Sequence, residues 1–407
     1  MAQKTLGEVA DYINGRAFKP DEWEDDGLPI IRIQNLTGST DICNRTTKTY
    51  EEKYLIVDGD LLFAWSASLG AHIWHGENGW LNQHIFKVVP HKETDKYYLY
   101  YYLLHVVDQL YAKTHGSGMV HITLKPFKNT AIYIPSLSEQ RRIVDRIESL
   151  FAKLDEAKEK AQAVVDGFEL RKSAILHKAF TGELTKRWRK EHGLGLDSWK
   201  ISNLSDRFEI VGGIQKKPSR TPKDNPIPYL TVANVFRDRI DLSDLRFFEV
   251  FDGELDKLKL QDKDILVVEG NGSGNEIGRC AMWHGELPIC IHQNHIIRLR
   301  ATDSETMPEY VLYFLNSSAG KSIMRERAKT TAGLFNLSTG KIKTISVPFA
   351  TVSEQKEIVR ILDSFLMQER QAKEAAEAVL AQIDTMKKAI LARAFRGELG
   401  TNNPVGA

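Results

Sequence analysis

The sequence predicts an α+β protein in which two mostly-β domains are joined by two long helices that pair antiparallel as an intramolecular coiled coil, a pseudo-twofold duplication. Three observations predict it. A stretch of 47 residues occurs twice, at 138–184 and 353–399, with a constant offset of 215 and about 21 identical positions. Each copy carries apolar residues at alternating steps of four and three, the mark of a helix burying one seam. The segments before the copies are runs of β-branched and aromatic residues punctuated by Gly, Pro and Asn.

With 407 residues the chain exceeds one ordinary core and suits two. Its 42% hydrophobic and 27% charged content is that of a globular protein. No apolar run approaches membrane length, and the first ten residues lack a secretory h-region, so the expected location is the cytoplasm. Cys43, Cys280 and Cys290 lie far apart, without ligand spacing. They are expected to be reduced and buried, with no structural zinc. A net charge of +1 weighs against a nucleic-acid partner unless a basic face is local or a partner supplies it.

In chain order the elements are a first domain (1–137), a long helix (138–184), a linker (185–200), a second domain (201–352), a second long helix (353–399) and a tail (400–407). The first seam is Ile143, Ile147, Leu150, Leu154, Val164, Phe168 and Ile175, with alanines 157 and 161 between. The second is Ile358, Leu362, Phe365, Val379, Ile383, Met386 and Ile390, with alanines 372 and 376 between. Arg171 interrupts one seam and Glu369 the other. Ser138 and Ser353 are expected N-caps, and Gly182 and Gly397 expected C-terminal stops. Each helix would span on the order of 60–65 Å, which suits a spacer.

The two domains share landmarks in a fixed order. Leu28–Leu36 and Ile227–Val235 each read as a buried strand leading to an Asn. Asp60–Phe63 and Asp264–Val267 are strands entering polar loops. Asn82-Gln83-His84-Ile85 matches Gln293-Asn294-His295-Ile296, and the tyrosine-rich helix YLYYYLLH matches YVLYFLNS. Its tyrosines read as core rather than as a stacking platform.

A chain of this order, with a SEQ helix start and an AIL..AF.GEL helix end in each copy, resembles the specificity subunits of type I restriction-modification systems over essentially its full length. The resemblance implies two target-recognition domains, each reading half of an interrupted duplex DNA site, with the helices setting the spacing. It also implies two methyltransferase subunits carrying S-adenosylmethionine, and restriction subunits carrying ATP and Mg, as partners, with no catalysis or cofactor in this chain. The rival reading is a coiled-coil scaffold that never touches DNA.

Candidate DNA contacts are residue types that read base edges or phosphates. In the first domain they are Arg32, Gln34, Asn35, Trp65, Ser66, Ser68, Asn82, Gln83, His84, Lys113, Thr114, His115 and Ser117. In the second they are Asn234, Arg237, Asn271, Ser273, Asn275, Gln293, Asn294, His295, Lys329, Thr330 and Thr331. For the Asn/Gln/His turns the competing reading is a hydrogen-bonded support for the β core. The glycine-rich run 270–278 follows a strand but leads into a second strand, Arg279–Trp283, so a hairpin tip or DNA loop fits better than a dinucleotide fold. Ala319-Gly320-Lys321-Ser322 lacks the first glycine of a phosphate loop. The basic run Lys186, Arg187, Arg189 and Lys190 reads as a linker able to touch the DNA backbone.

Overall fold

The computed structural model describes residues 2–111, 121–251, 253–271, 276–328 and 335–399. The chain divides into two compact units, Met1–Gln162 with Ala376–Ala407, and Ala163–Ala375.

In the first unit a four-stranded antiparallel sheet runs Ala10–Asn14, Ile85–Pro90, Leu61–Ala64, Gly70–Ile73. A second sheet runs Asn44–Thr46, Leu28–Ile31, Gly79–Leu81, Leu55–Ile56, with its central pair parallel. A ribbon of Ala2–Thr5 against Ala131–Ile134 and the helix Lys96–Tyr111 complete it. Leu61–Ala64 is apolar on both faces because both are covered, as expected of a central strand.

The second unit repeats this plan. Its four-stranded sheet runs Phe208–Gly212, Ile296–Ala301, Ile265–Val268, Cys280–Met282. Pro226–Leu230 again pairs antiparallel with one neighbour, Arg246–Glu249, and parallel with the other, Ile291–His292. Lys200–Asn203 and Ser346–Phe349 form the ribbon, and Pro308–Asn316 replaces the tyrosine helix. Cys280 and Cys290 are buried, where the apolar surroundings push each thiol up to about 12, whereas Cys43 is only half-buried.

The long helices are Leu137–Phe180 and Val352–Phe395, each of 44 residues. They start one residue earlier than the sequence suggests, and the caps move with them. Ser136 and Thr351, not Ser138 and Ser353, accept the backbone N–H of Glu139 and Glu354 at 3.4 Å. Gly182 and Gly397 follow the helix ends with φ of 78° and 77°.

The domain boundaries also differ from the sequence parse, because the units divide each long helix in its middle. Both helices are needed in both cores. Ile143, Val144 and Ile147 join Leu391, Ala394 and Leu399 in the first; Leu176 and Ala179 join Ile358, Val359 and Leu362 in the second. Within each unit the helix segments run antiparallel: Asp155 meets Lys387 at 2.6 Å in one, and in the other Phe168 and Arg171 meet Lys373 and Glu369.

The seams depart from strict repetition. Ile143, Ile147, Phe168, Ile358, Leu362 and Ile383 are buried, and Leu150, Leu154, Val164, Ile175, Phe365 and Ile390 half-buried. Val379 and Met386, placed in the seam by the offset, are each 41% exposed. Ala376 is buried as expected, and Leu366 and Leu391, outside the expected seam, are buried as well, since the facing surfaces are not copies of each other. The two polar interruptions are partners: Arg171 Nε donates to Glu369 at 2.7 Å.

The SEQ glutamine carries the helix-to-sheet joint. Buried Gln140 donates to the carbonyls of Glu93 and Pro135 at 2.9 Å and accepts the N–H of Asp95 at 2.7 Å. Gln355 does the same with Glu305, Ala350 and Met307 at 3.1, 2.9 and 3.0 Å. Gln355→Leu should destabilise the second unit by about 2–4 kcal/mol, since buried backbone groups lose their partner. Hydrogen exchange should then accelerate at the Met307 amide and not at Asp95.

Candidate nucleic-acid interface

At one end of each four-stranded sheet the backbone builds the same small structure. Arg16 bridges Asn82, as Ile214 bridges Gln293. Gly15 and Gly213 permit this approach, for a Cβ there would lie 1.9 Å from the Asn82 carbonyl oxygen or 2.1 Å from that of His292. The Asn82 N–H donates to Ile31 and that of Gln293 to Leu230, at 3.1 and 2.9 Å. The N–H groups of Trp65 and Glu269 reach the carbonyls of His84 and His295 at 3.0 and 2.9 Å. Ser66 bridges His121, and Gly270 pairs with Asn336. Two turns and two loop roots thus converge in each unit.

The side chains on this shared backbone are unlike. In the first unit Trp65 stacks on Phe86 at 5.7 Å, sits 4.8 Å from the His84 ring and donates from Nε1 to Asn14 at 2.9 Å. His84 and Ala67 have φ of 74° and 58°, a region disfavoured for residues with a side chain, and strained turns of this kind concentrate at binding sites. Gln83 and Ser68 are exposed, Asn82 half-buried, Ser66 buried. Nearby on the Arg32–Leu36 turn, Gln34 is exposed and the Arg32 guanidinium lies 5.7 Å from the centre of the Trp23 ring. In the second unit Gln293 and Asn294 are half-buried, and exposed His295 meets Glu269 at 3.1 Å.

Several sequence-predicted contacts are structural instead. Asn35 caps its own turn, accepting from the Arg32 N–H at 3.0 Å and donating to Thr40 and Ile42 at 3.3 and 3.1 Å. Buried Asn234 does the same with Thr231, Asp241 and Asp244. Both N–H donors of each amide are used within the fold, so neither can make the paired donor and acceptor contact that reads adenine. Arg237 donates to Asn316 and to the Ile277 carbonyl at 3.2 and 3.3 Å, in a hairpin whose Asp238 pairs with Lys172 of the long helix. Arg189 is also inward: it is buried against the fully buried Glu354, to which Trp199 donates at 2.8 Å. The run 185–200 is therefore a short helix and turn, Lys186–Glu191 and Leu196–Ser198, pinned by buried Thr185 and Arg189 while Lys186, Arg187 and Lys190 are exposed.

Gly320 sits in the helix Ser318–Ala328, where a Cβ would meet the Phe314 carbonyl at 2.2 Å, so packing explains that glycine. Lys113, Thr114, His115, Ser117, Ser273, Asn275, Lys329, Thr330 and Thr331 lie outside the described residues, as does the Asn271 side chain. Among the described residues no group of His, Cys, Asp and Glu suits a metal, and no helix is long and apolar enough to cross a membrane.

The sequence reading passed over the segments after Gly15 and Gly213. Arg16 is clamped by Glu22 at 2.7 Å and by the Tyr50 ring at 4.3 Å, and it holds the Glu22 carboxyl down to about 2. The corresponding stretch 215–223 holds four cations. A density of Lys and Arg beside a matched turn was the available signal.

Two copies of one scaffold, alike in backbone and unlike in the side chains at one end, carried on paired helices, are the anatomy of a bipartite binding protein. Residues 1–165 and 197–378 each match the Type I restriction modification DNA specificity domain, and the chain belongs to that family. It is 28% identical to the EcoKI specificity subunit of Escherichia coli (strain K12), over 97% of this chain and 88% of that protein. With the EcoBI specificity subunit of Escherichia coli it shares 26% identity over 97% and 85%. The HsdS subunit from Thermoanaerobacter tengcongensis has the same fold, with a TM-score of 0.67 at 19% identity over 98% of this chain and 97% of that one. A chain from a structural study of type I R-M complex assembly gives 0.69 at 18% identity, covering 98% of each.

His292, the second unit's counterpart of Leu81, is buried and bonded at Nδ1 to the Ile296 carbonyl at 2.9 Å. Burial depresses it to about 4. Between about pH 6.5 and 4 the unfolded chain therefore binds the extra proton, and folding stability falls as pH drops through that window, by about 3 kcal/mol in all. Urea titrations should show this slope, and His292→Leu should flatten it.

Proposed function

We propose that the chain reads a two-part DNA sequence for a type I restriction-modification complex and performs no chemistry itself. The observation that carries this is the pairing of identical backbone scaffolds with different side chains. Arg16, Trp65, Ser66 and His121 in one unit stand where Ile214, Glu269, Gly270 and Asn336 stand in the other. A fold kept constant while its rim varies is what reading two unlike half-sites demands, since each base edge needs its own donors and acceptors.

Gln34, Ser68, Gln83 and His84 are the base-reading set in the first unit, and Gln293, Asn294 and His295 in the second. Arg32, free of any carboxylate among the described residues, serves the first unit's phosphates or guanines. Two methyltransferase subunits with S-adenosylmethionine bind the chain and methylate adenine at N6. Restriction subunits, where present, bring ATP and Mg to cut DNA.

Methylome sequencing of a host expressing the chain with its methyltransferase should show one interrupted motif. Gln83→Ala should relax one half of that motif and Asn294→Ala the other, each by about 1–3 kcal/mol of discrimination. A continuous motif, or one untouched by either change, would reject the assignment.

A further inference from the structure

After the glycine step both units make the same short 3-10 turn, Pro20–Glu22 in the first and Pro218–Arg220 in the second, each preceded by a lysine, Lys19 or Lys217. Around that turn the charge inverts. Residues 17–27 hold Lys19 against five acids, at positions 21, 22, 24, 25 and 26, whereas 215–225 hold Lys216, Lys217, Arg220 and Lys223 against Asp224 alone.

The basic loop is held from beneath. Arg220 forks onto Glu254 at 2.8 and 2.7 Å and donates to the Glu249 carbonyl at 3.2 Å. The Glu249 carboxylate accepts the backbone N–H groups of Lys223 and Asn225 at 2.7 and 2.8 Å. Glu254 is committed to the Arg220 side chain and Glu249 to the loop's backbone. The side chains of Lys216, Lys217 and Lys223 are exposed, and among the described residues none forms an ion pair, the charge of Lys223 acting on the Glu249 carboxylate only at longer range. The loop springs from Ile214, bridged to Gln293, so its lysines flank the turn that reads the second half-site.

We propose that Lys216, Lys217 and Lys223 clamp backbone phosphates beside the second half-site, and that the first unit, with acids around the same turn, has no such clamp. This rests on the DNA-reading assignment above. A fixed loop with unpaired lysines releases roughly one counterion per phosphate engaged, so the clamp supplies salt-sensitive affinity and no sequence preference. On the opposite loop Asp25 and Asp26 repel phosphate. The chain's grip on DNA is consequently lopsided, with the second half-site the electrostatic anchor.

The test uses the complex with its methyltransferase subunits and a duplex carrying the motif found by methylome sequencing. For Lys216→Gln/Lys217→Gln/Lys223→Gln the motif should be unchanged, while the slope of log K against log salt should fall by about 2.7, at 0.9 per phosphate. Between 50 and 200 mM salt the wild type should therefore lose about 40-fold more affinity than the variant. The triple Lys→Arg variant should keep the wild-type slope, and Asp25→Asn/Asp26→Asn should not lower it. An unchanged slope in the triple Gln variant overturns the clamp, and an altered motif overturns it too by making the lysines base readers. A wild type with no motif at all defeats the DNA-reading assignment itself.

Discussion

The core of each unit is completed by a helix end that the adjoining sequence does not supply. Phe395 packs 5.3 and 5.1 Å from the rings of Tyr98 and Tyr102, some 300 residues earlier in the chain. Phe180 meets Tyr310 and Phe314, each at 5.2 Å. Burying such a ring is worth about 2–3 kcal/mol by area, and a buried aromatic removed to alanine costs more. Neither sheet can bury its helical face without both long helices. This couples the repeats: the SEQ start anchors one helix in a unit through its glutamine, and the AF end seals the same unit with the other helix.

That coupling frees the far end of each sheet. The core of the first unit is fixed by Leu6, Phe63, Leu99, Phe127 and Ile132, all fully buried, and that of the second by Leu204, Ile265, Tyr310, Leu337 and Val347. The turns that converge around Asn82 and Gln293 are held mainly by backbone hydrogen bonds, which do not depend on side-chain identity. Trp65 can therefore become Glu269, and Arg16 become Ile214, without disturbing the frame. The invariable members are the two glycines, where a Cβ would strike a carbonyl, and the capping pair Asn35 and Asn234, whose amides hold the neighbouring turn.

The helices and the duplication were plain in the sequence because near-identity over a constant offset and a four-three apolar rhythm are one-dimensional signals. The order of strands was visible for the same reason. What the sequence hid depends on partners distant along the chain. Asn35, Asn234 and Arg237 have the chemistry of base readers, yet their hydrogen bonds are satisfied within the fold. Arg189 sits in the densest basic run but is neutralised by Glu354, 165 residues away. Val379 and Met386 were misplaced because pairing two non-identical seams need not preserve the offset, and Arg171 opposite Glu369 shows which register the helices adopt.

The near-zero net charge, which argued against a polyanionic partner, loses its force once the charges are located. At physiological salt a charge is screened beyond about 8 Å, so a phosphate responds to the loop beside it and not to the sum over the chain. The acids of 17–27 and the cations of 215–225 nearly cancel in the total while standing at corresponding places in different units. Cancellation between corresponding loops also has a physical use. A uniformly basic pair of readers would hold any duplex tightly and dilute discrimination, because phosphate affinity is blind to sequence. On the proposed clamp, gathering unpaired lysines on one loop would set the salt-sensitive grip beside the second half-site, while the base edges of both half-sites are still read by their own turns.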